Sequence, residues 1–143
     1  MSSTQNPFGQ SINVADIIDT LSFFDSWEER YKYIIDLGKE LPPIDPSKKN
    51  DVNLVRGCQS QVWIDFSIEE QRFYFEVDSD AFIVKGLLGV VMAAYNAKTT
   101  DEILQFDVEA YFDELGLIKH LSATRGNGLR SMVQKIQNLA SKT

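Results

Sequence analysis

The chain's 143 residues fit one domain, long enough to bury a core without metal or disulfide staples. Nine Phe, five Tyr and two Trp within a 43% hydrophobic composition exclude disorder over most of its length. The formal charge of −7, with its acids spread along the chain, argues against nucleic acid as a partner, and no apolar run nears the roughly 20 residues that span a bilayer.

Met1 to Gln10 is small and polar, with Pro7 and Gly9, and lacks the basic start and apolar centre of a secretory signal. It reads as a flexible segment ahead of one domain over 11–143. A single unpaired cysteine agrees with a reducing compartment, so the expected location is cytoplasmic. Ile12, Val14, Ile17, Ile18 and Leu21 recur at near-helical spacing, which predicts a short helix from Asn13, its cap, to about Ser22. Asp25 followed by Glu28 predicts the next cap, with Trp27, Tyr31, Ile34, Ile35 and Gly38 on one stripe until Pro42-Pro43 stops the helix. The segment from Pro42 to Asn53, rich in Pro, Asp, Lys, Asn and Ser, reads as a surface loop.

Gln61 to Ile68 and Arg72 to Asp78 are rich in β-branched and aromatic residues and predict a hairpin turning at Glu69-Glu70-Gln71, with Phe73, Phe75 and Val77 on one face. A two-stranded hairpin alone is marginal in water, so a third strand is expected around Val52 to Val55. Ser79-Asp80-Ala81 offers a cap for the almost wholly apolar run from Phe82 to Tyr95, the central buried helix. Gly86 and Gly89 within it point to close packing, expected against the hairpin. Short helical turns follow from Thr99 to Leu104 and from Asp107 to Leu115, and Leu117-Ile118-Lys119-His120-Leu121 comes after them. A loop over Ser122 to Gly128 then leads to a last helix carrying Leu129, Met132, Val133, Ile136 and Leu139. Two helices, a small antiparallel sheet and further helices argue an α+β fold with helices over one sheet face.

The chemistry concentrates in Val55-Arg56-Gly57-Cys58-Gln59-Ser60-Gln61-Val62-Trp63, which holds the only cysteine. A chain with one thiol closes no disulfide within itself, so a reactive Cys58 must trade with something outside the chain. Gly57 permits a tight turn, and Gln59, Ser60 and Gln61 suit an exposed loop tip. Arg56 is a nearby cation able to favour thiolate, the reactive form, where its side chain turns toward the thiol. One Cys and one His make no zinc cluster, the carboxylates lack calcium-loop spacing, and neither phosphate-binding glycine pattern occurs. A Cys-His hydrolase or thiol peroxidase using Cys58 and His120, and a non-catalytic binding module, are the rival readings.

The runs "WEERYKYIIDLGKELP", "VRGCQSQVW", "DSDAFIVKGLLGVV" and "HLSATRGNGLRSMV", in this order from about Trp27 to the C-terminus, resemble the SufE family of sulfur acceptor proteins, including its CsdE branch. The resemblance implies an α+β fold similar to that of the scaffold protein IscU, without that protein's metal ligands. It implies that Cys58 accepts a sulfane sulfur from the persulfide of a cysteine desulfurase, SufS-like or CsdA-like, stimulates that enzyme, and passes the sulfur to an iron–sulfur scaffold complex. Pyridoxal phosphate then belongs to the desulfurase, and the chain itself needs no cofactor and no metal. Gln59, Asp80 and Arg125 fall at positions the resemblance associates with the cysteine loop or the partner contact, alongside Arg56. A monomer or weak homodimer is expected, with a cysteine loop partly shielded at rest.

Overall fold

The computed structural model describes residues 6–143. Its elements are α1 (Val14–Phe23), α2 (Trp27–Gly38), β1 (Val62–Glu69), β2 (Arg72–Ser79), α3 (Phe82–Tyr95), β3 (Lys98–Thr99), α4 (Thr100–Gln105), α5 (Val108–Leu115), α6 (Leu117–His120) and α7 (Ala123–Ser141). The fold is α+β, as expected: helices cover one face of a small antiparallel sheet ordered β1-β2-β3.

α1 is capped by Asn13 in a reciprocal capping box with Asp16, which satisfies two backbone donors at once. α2 begins one residue later than expected. Ser26, not Asp25, accepts the Glu29 N–H, because a Ser hydroxyl at this position reaches the third helical amide. Glu70 and Gln71 both take positive φ, so the hairpin closes on two residues rather than three, with a backbone twist that matches the strands. Val62, Ile64, Phe73, Phe75 and Val77 are buried on the covered face.

The third strand is not Val52 to Val55. That stretch makes only an isolated bridge, Leu54 to Trp63, while Lys98–Thr99 pairs with β2 on the other side. Ala97, at φ 63°, turns the chain out of α3 and donates to the Phe73 carbonyl at 2.7 Å, placing β3 in register. Buried Asn96 fixes the same corner: its Oδ1 accepts the Phe75 N–H at 2.8 Å and its Nδ2 donates to the Phe8 carbonyl at 3.0 Å. Phe8, within the stretch expected to be flexible, is completely buried against α3, and Met1–Gln5 lies outside the described residues.

α3 runs through the centre, and Gly86 does pack closely, but against α2 rather than the hairpin. A Cβ on Gly86 would lie 2.2 Å from the Ile34 carbonyl oxygen. The backbones touch because neither Gly86 nor Gly38 carries a side chain. Ser79-Asp80-Ala81 places no side-chain cap on α3. The Ser122–Gly128 segment is not a loop, because Ser122 caps α7 and the helix starts at Ala123, running through both glycines.

Candidate functional site

Three elements converge on Cys58. The segment Val52–Cys58 runs antiparallel along α7: Lys135 Nζ donates to the Val52 carbonyl at 2.9 Å, Gly57 faces the Ser131 side chain, and Cys58 faces Gly128. Gly57 holds φ at +89°, a left-handed turn that most side chains resist, so it aims Cys58 back at the helix. The thiol Sγ–H donates to the Gly128 carbonyl at 3.5 Å. Gly128 leaves open space beside that sulfur: a Cβ there would lie 3.5 Å from Sγ, in ordinary contact.

The far side of the loop is tied to the start of α3. Asp80 Oδ1 accepts the Gln61 N–H at 3.0 Å, while the Gln61 carbonyl accepts from Ser79 Oγ at 2.7 Å and from the Asp80 N–H at 3.2 Å. Three bonds on one residue hold the chain just past Gln59 and Ser60. Asp80, left over from capping, therefore anchors the cysteine loop.

Beside the thiol lies an open cavity of about 300 Å³, lined by Cys58, Gln59, Ser60, Val84, Leu87, Ser122, Thr124, Arg125, Gly128 and Met132. Its floor is apolar, from α3 and α7, and its rim is polar. Cys58 is half-buried there, and that burial pushes its thiol pKa up. The resting site therefore holds the thiol, not the thiolate.

Gln59 and Arg125 thus stand at the cavity with Cys58, Asp80 stands behind the loop, and Arg56 stands outside. The expectation that Arg56 would lower the thiol pKa does not hold in this conformation. Its side chain is exposed and its charge falls on Lys135, whose own pKa is lowered by burial first and then by Arg56 and Lys142. Arg125 occupies the first turn of α7, its backbone N–H on Ser122 Oγ at 3.2 Å, where the helix dipole disfavours a cation. His120 belongs elsewhere: its ring stacks on Trp27 at 3.9 Å between centroids, its Nδ1 is 3.0 Å from the Gly116 carbonyl, and it does not line the cavity. Val84, Leu87 and Met132 read from sequence only as core positions, and nothing in their helical spacing distinguishes a cavity wall from a packed interior. Ser122 and Thr124 carry no signal of their own in a stretch whose two glycines read as a loop.

The sequence matches the SufE family, an Fe-S metabolism associated domain, over residues 15–140. The chain belongs to the SufE family. A SufE-like protein of Rhizobium meliloti (strain 1021) is 44% identical over 128 residues, covering 87% of this chain and 91% of the relative. A SufE-like protein of Rhizobium etli is 43% identical over 141 residues, covering 94% and 95%. The solution structure of a hypothetical protein from Thermus thermophilus superposes with a TM-score of 0.74 over 90% of this chain and 93% of that one, at 16% identity, a likeness of fold. Among the described residues of this SufE-family chain, no group of His, Cys, Asp and Glu side chains is arranged to hold a metal ion, and no helix is long and apolar enough to cross a membrane.

Proposed function

We propose that this protein is a sulfur acceptor: Cys58 takes the sulfane sulfur of a cysteine desulfurase persulfide, which frees that enzyme for another turnover, and hands the sulfur on to iron–sulfur cluster assembly. The observation that carries this reading is the placement of the only thiol on a tethered loop, at the mouth of a cavity with an apolar floor and a polar rim, in a SufE-family chain.

The transfer follows thiol–disulfide exchange. The Cys58 thiolate attacks the outer sulfur of the donor persulfide, a Cys58 S–S bond forms as the donor S–S bond breaks, and the donor cysteine leaves as thiolate. No net oxidation occurs, and one cysteine suffices because each exchange partner is another protein. Burial keeps the resting thiol protonated and shields it from stray oxidants, so the loop must leave the Gly128 carbonyl before Cys58 reacts. Gly57 supplies the hinge on one side, and the Ser79–Asp80 bonds to Gln61 limit the swing on the other.

Incubation with a desulfurase and cysteine is expected to add the mass of one sulfur atom to the intact chain, removable by reductant and absent in Cys58→Ser. Failure to load with any of several desulfurases sinks the reading.

A further inference from the structure

The sulfur-acceptor reading leaves open what the partner's surface must look like, and the charge distribution speaks to it. All 21 acidic side chains precede Leu115, whereas the remaining stretch carries Lys119, Arg125, Arg130, Lys135 and Lys142. α7, inside that stretch, is the helix along which the Cys58 segment lies. An acidic molecule therefore presents its thiol on a basic face. Arg56, Arg125 and Lys135 have no carboxylate partner among the described residues, while Arg130 is paired with Glu109 at 3.2 Å. Burial and the charges of Arg56 and Lys142 act on Lys135, so like charges stand together there without an ion-pair partner among the described residues.

Two large apolar side chains flank the same face. Phe82, at the first position of α3, is 79% exposed, and Val52, whose carbonyl Lys135 holds, is 82% exposed. Phe82 stands two residues beyond Asp80, the anchor of the cysteine loop, on the helix whose Val84 and Leu87 line the cavity. An exposed aromatic ring on the helix that shares the cavity with Arg125 has the make-up of an interface anchor.

We propose that this face docks on an acidic protein surface surrounding the desulfurase active-site entrance, with Phe82 entering an apolar socket and Arg56, Lys135 and Arg125 meeting carboxylates around it. An acidic protein fits better than nucleic acid or an anionic membrane. The thiol cavity interrupts the basic face, which belongs to a molecule whose net charge is −7. Net charge alone predicts that an acidic surface repels this chain and that salt helps the two associate, whereas local complementarity predicts the reverse.

The test measures the concentration of this chain that half-maximally stimulates a purified desulfurase able to load Cys58. Sodium chloride is raised from about 0.01 to about 0.15 M, over which the Debye length shrinks from about 30 to about 8 Å. That concentration is expected to rise at least fivefold in the unmodified chain and to lose most of this dependence in Arg56→Gln/Lys135→Gln. Phe82→Ala is expected to raise it about tenfold at every salt concentration, and Glu28→Gln/Glu29→Gln, on exposed positions of α2, to leave it unchanged. All variants should load Cys58 fully at saturating desulfurase. Stimulation that is indifferent to salt or improved by it, or that is untouched in the basic-face and Phe82 variants, overturns the proposal while leaving sulfur acceptance intact. Equal or tighter binding of phosphatidylserine vesicles or single-stranded DNA, lost in the same variants, also overturns it. No loading of the unmodified chain overturns the acceptor reading itself.

Discussion

Cys58 donates to a helix carbonyl from a half-buried position, and the same burial that shields its sulfur raises the free energy of its thiolate. Reactivity in the isolated chain therefore tracks how often the loop opens, not the charge of the neighbouring arginine in the sequence. Alkylation by iodoacetamide is expected to rise with pH along a curve whose midpoint lies above that of the urea-unfolded chain, and Arg56→Gln should not move it. A midpoint below the unfolded value would show that a cation governs the thiol after all. Gly128 supplies a second handle on the same atom. A Cβ there would sit 3.5 Å from Sγ, an ordinary contact, so Gly128→Ala fits, narrows the space around the sulfur and is expected to slow alkylation further at neutral pH without unfolding α7.

At the scale of elements, the two kinds of glycine in this chain separate cleanly. Gly86 lets α2 and α3 touch backbone to backbone. Gly86→Ala puts a methyl 2.2 Å from the Ile34 carbonyl oxygen, which no side-chain rotation relieves, and is expected to cost about 3 kcal/mol or more in urea denaturation. Gly126 sits in the first turns of α7 with nothing within 4 Å of where a Cβ would go, so Gly126→Ala is expected to stabilise by about 1 kcal/mol in the same measurement. This contrast also explains what is legible in the sequence. The periodicities of α1, α2, α3 and α7 and the alternation of the hairpin announce themselves because burial selects one face of each. Glycine, by contrast, reads as a breaker whether it ends a helix or packs one, so the start of α7 resembles a loop and the partner of Gly86 cannot be told from its spacing. The cysteine motif is visible as residue types; its cavity wall is not, because Val84, Leu87 and Met132 obey the same periodicity as core. β3 is two residues long, too short for any alternation to mark it.

Across the whole molecule, the sheet's uncovered face poses an electrostatic problem that the Pro42–Asn53 segment solves. β1 and β2 set Asp65 directly opposite Glu76 and Trp63 opposite Asp78, and like charges placed opposite each other destabilise a sheet. Lys48 reaches in from the segment to 2.7 Å from Glu76 and 3.9 Å from Asp65. Lys49 lies 2.8 Å from Asp78 and over the Trp63 ring, and Lys85 of α3 approaches Asp78 at 3.4 Å. What reads as a solvated connector is thus pinned to the sheet just before it runs on to Cys58. Burial opposes ionisation of Asp78, but the hydrogen bonds from Lys49 and the Ser79 backbone and the two lysine charges outweigh it and hold the carboxyl below its usual range. A carboxyl depressed in the folded state stabilises above its unfolded pKa and loses that contribution as pH falls through its folded pKa. With a side chain only 14% exposed, Asp78→Asn is expected to cost about 2 kcal/mol at neutral pH, where both lysines lose their shared carboxylate. Because the wild-type carboxylate is itself protonated in acid, the gap between the two proteins should close progressively below about pH 4. Urea denaturation of both at a series of pH values checks this, and a gap that stays constant into acid would show that Asp78 acts through packing rather than charge.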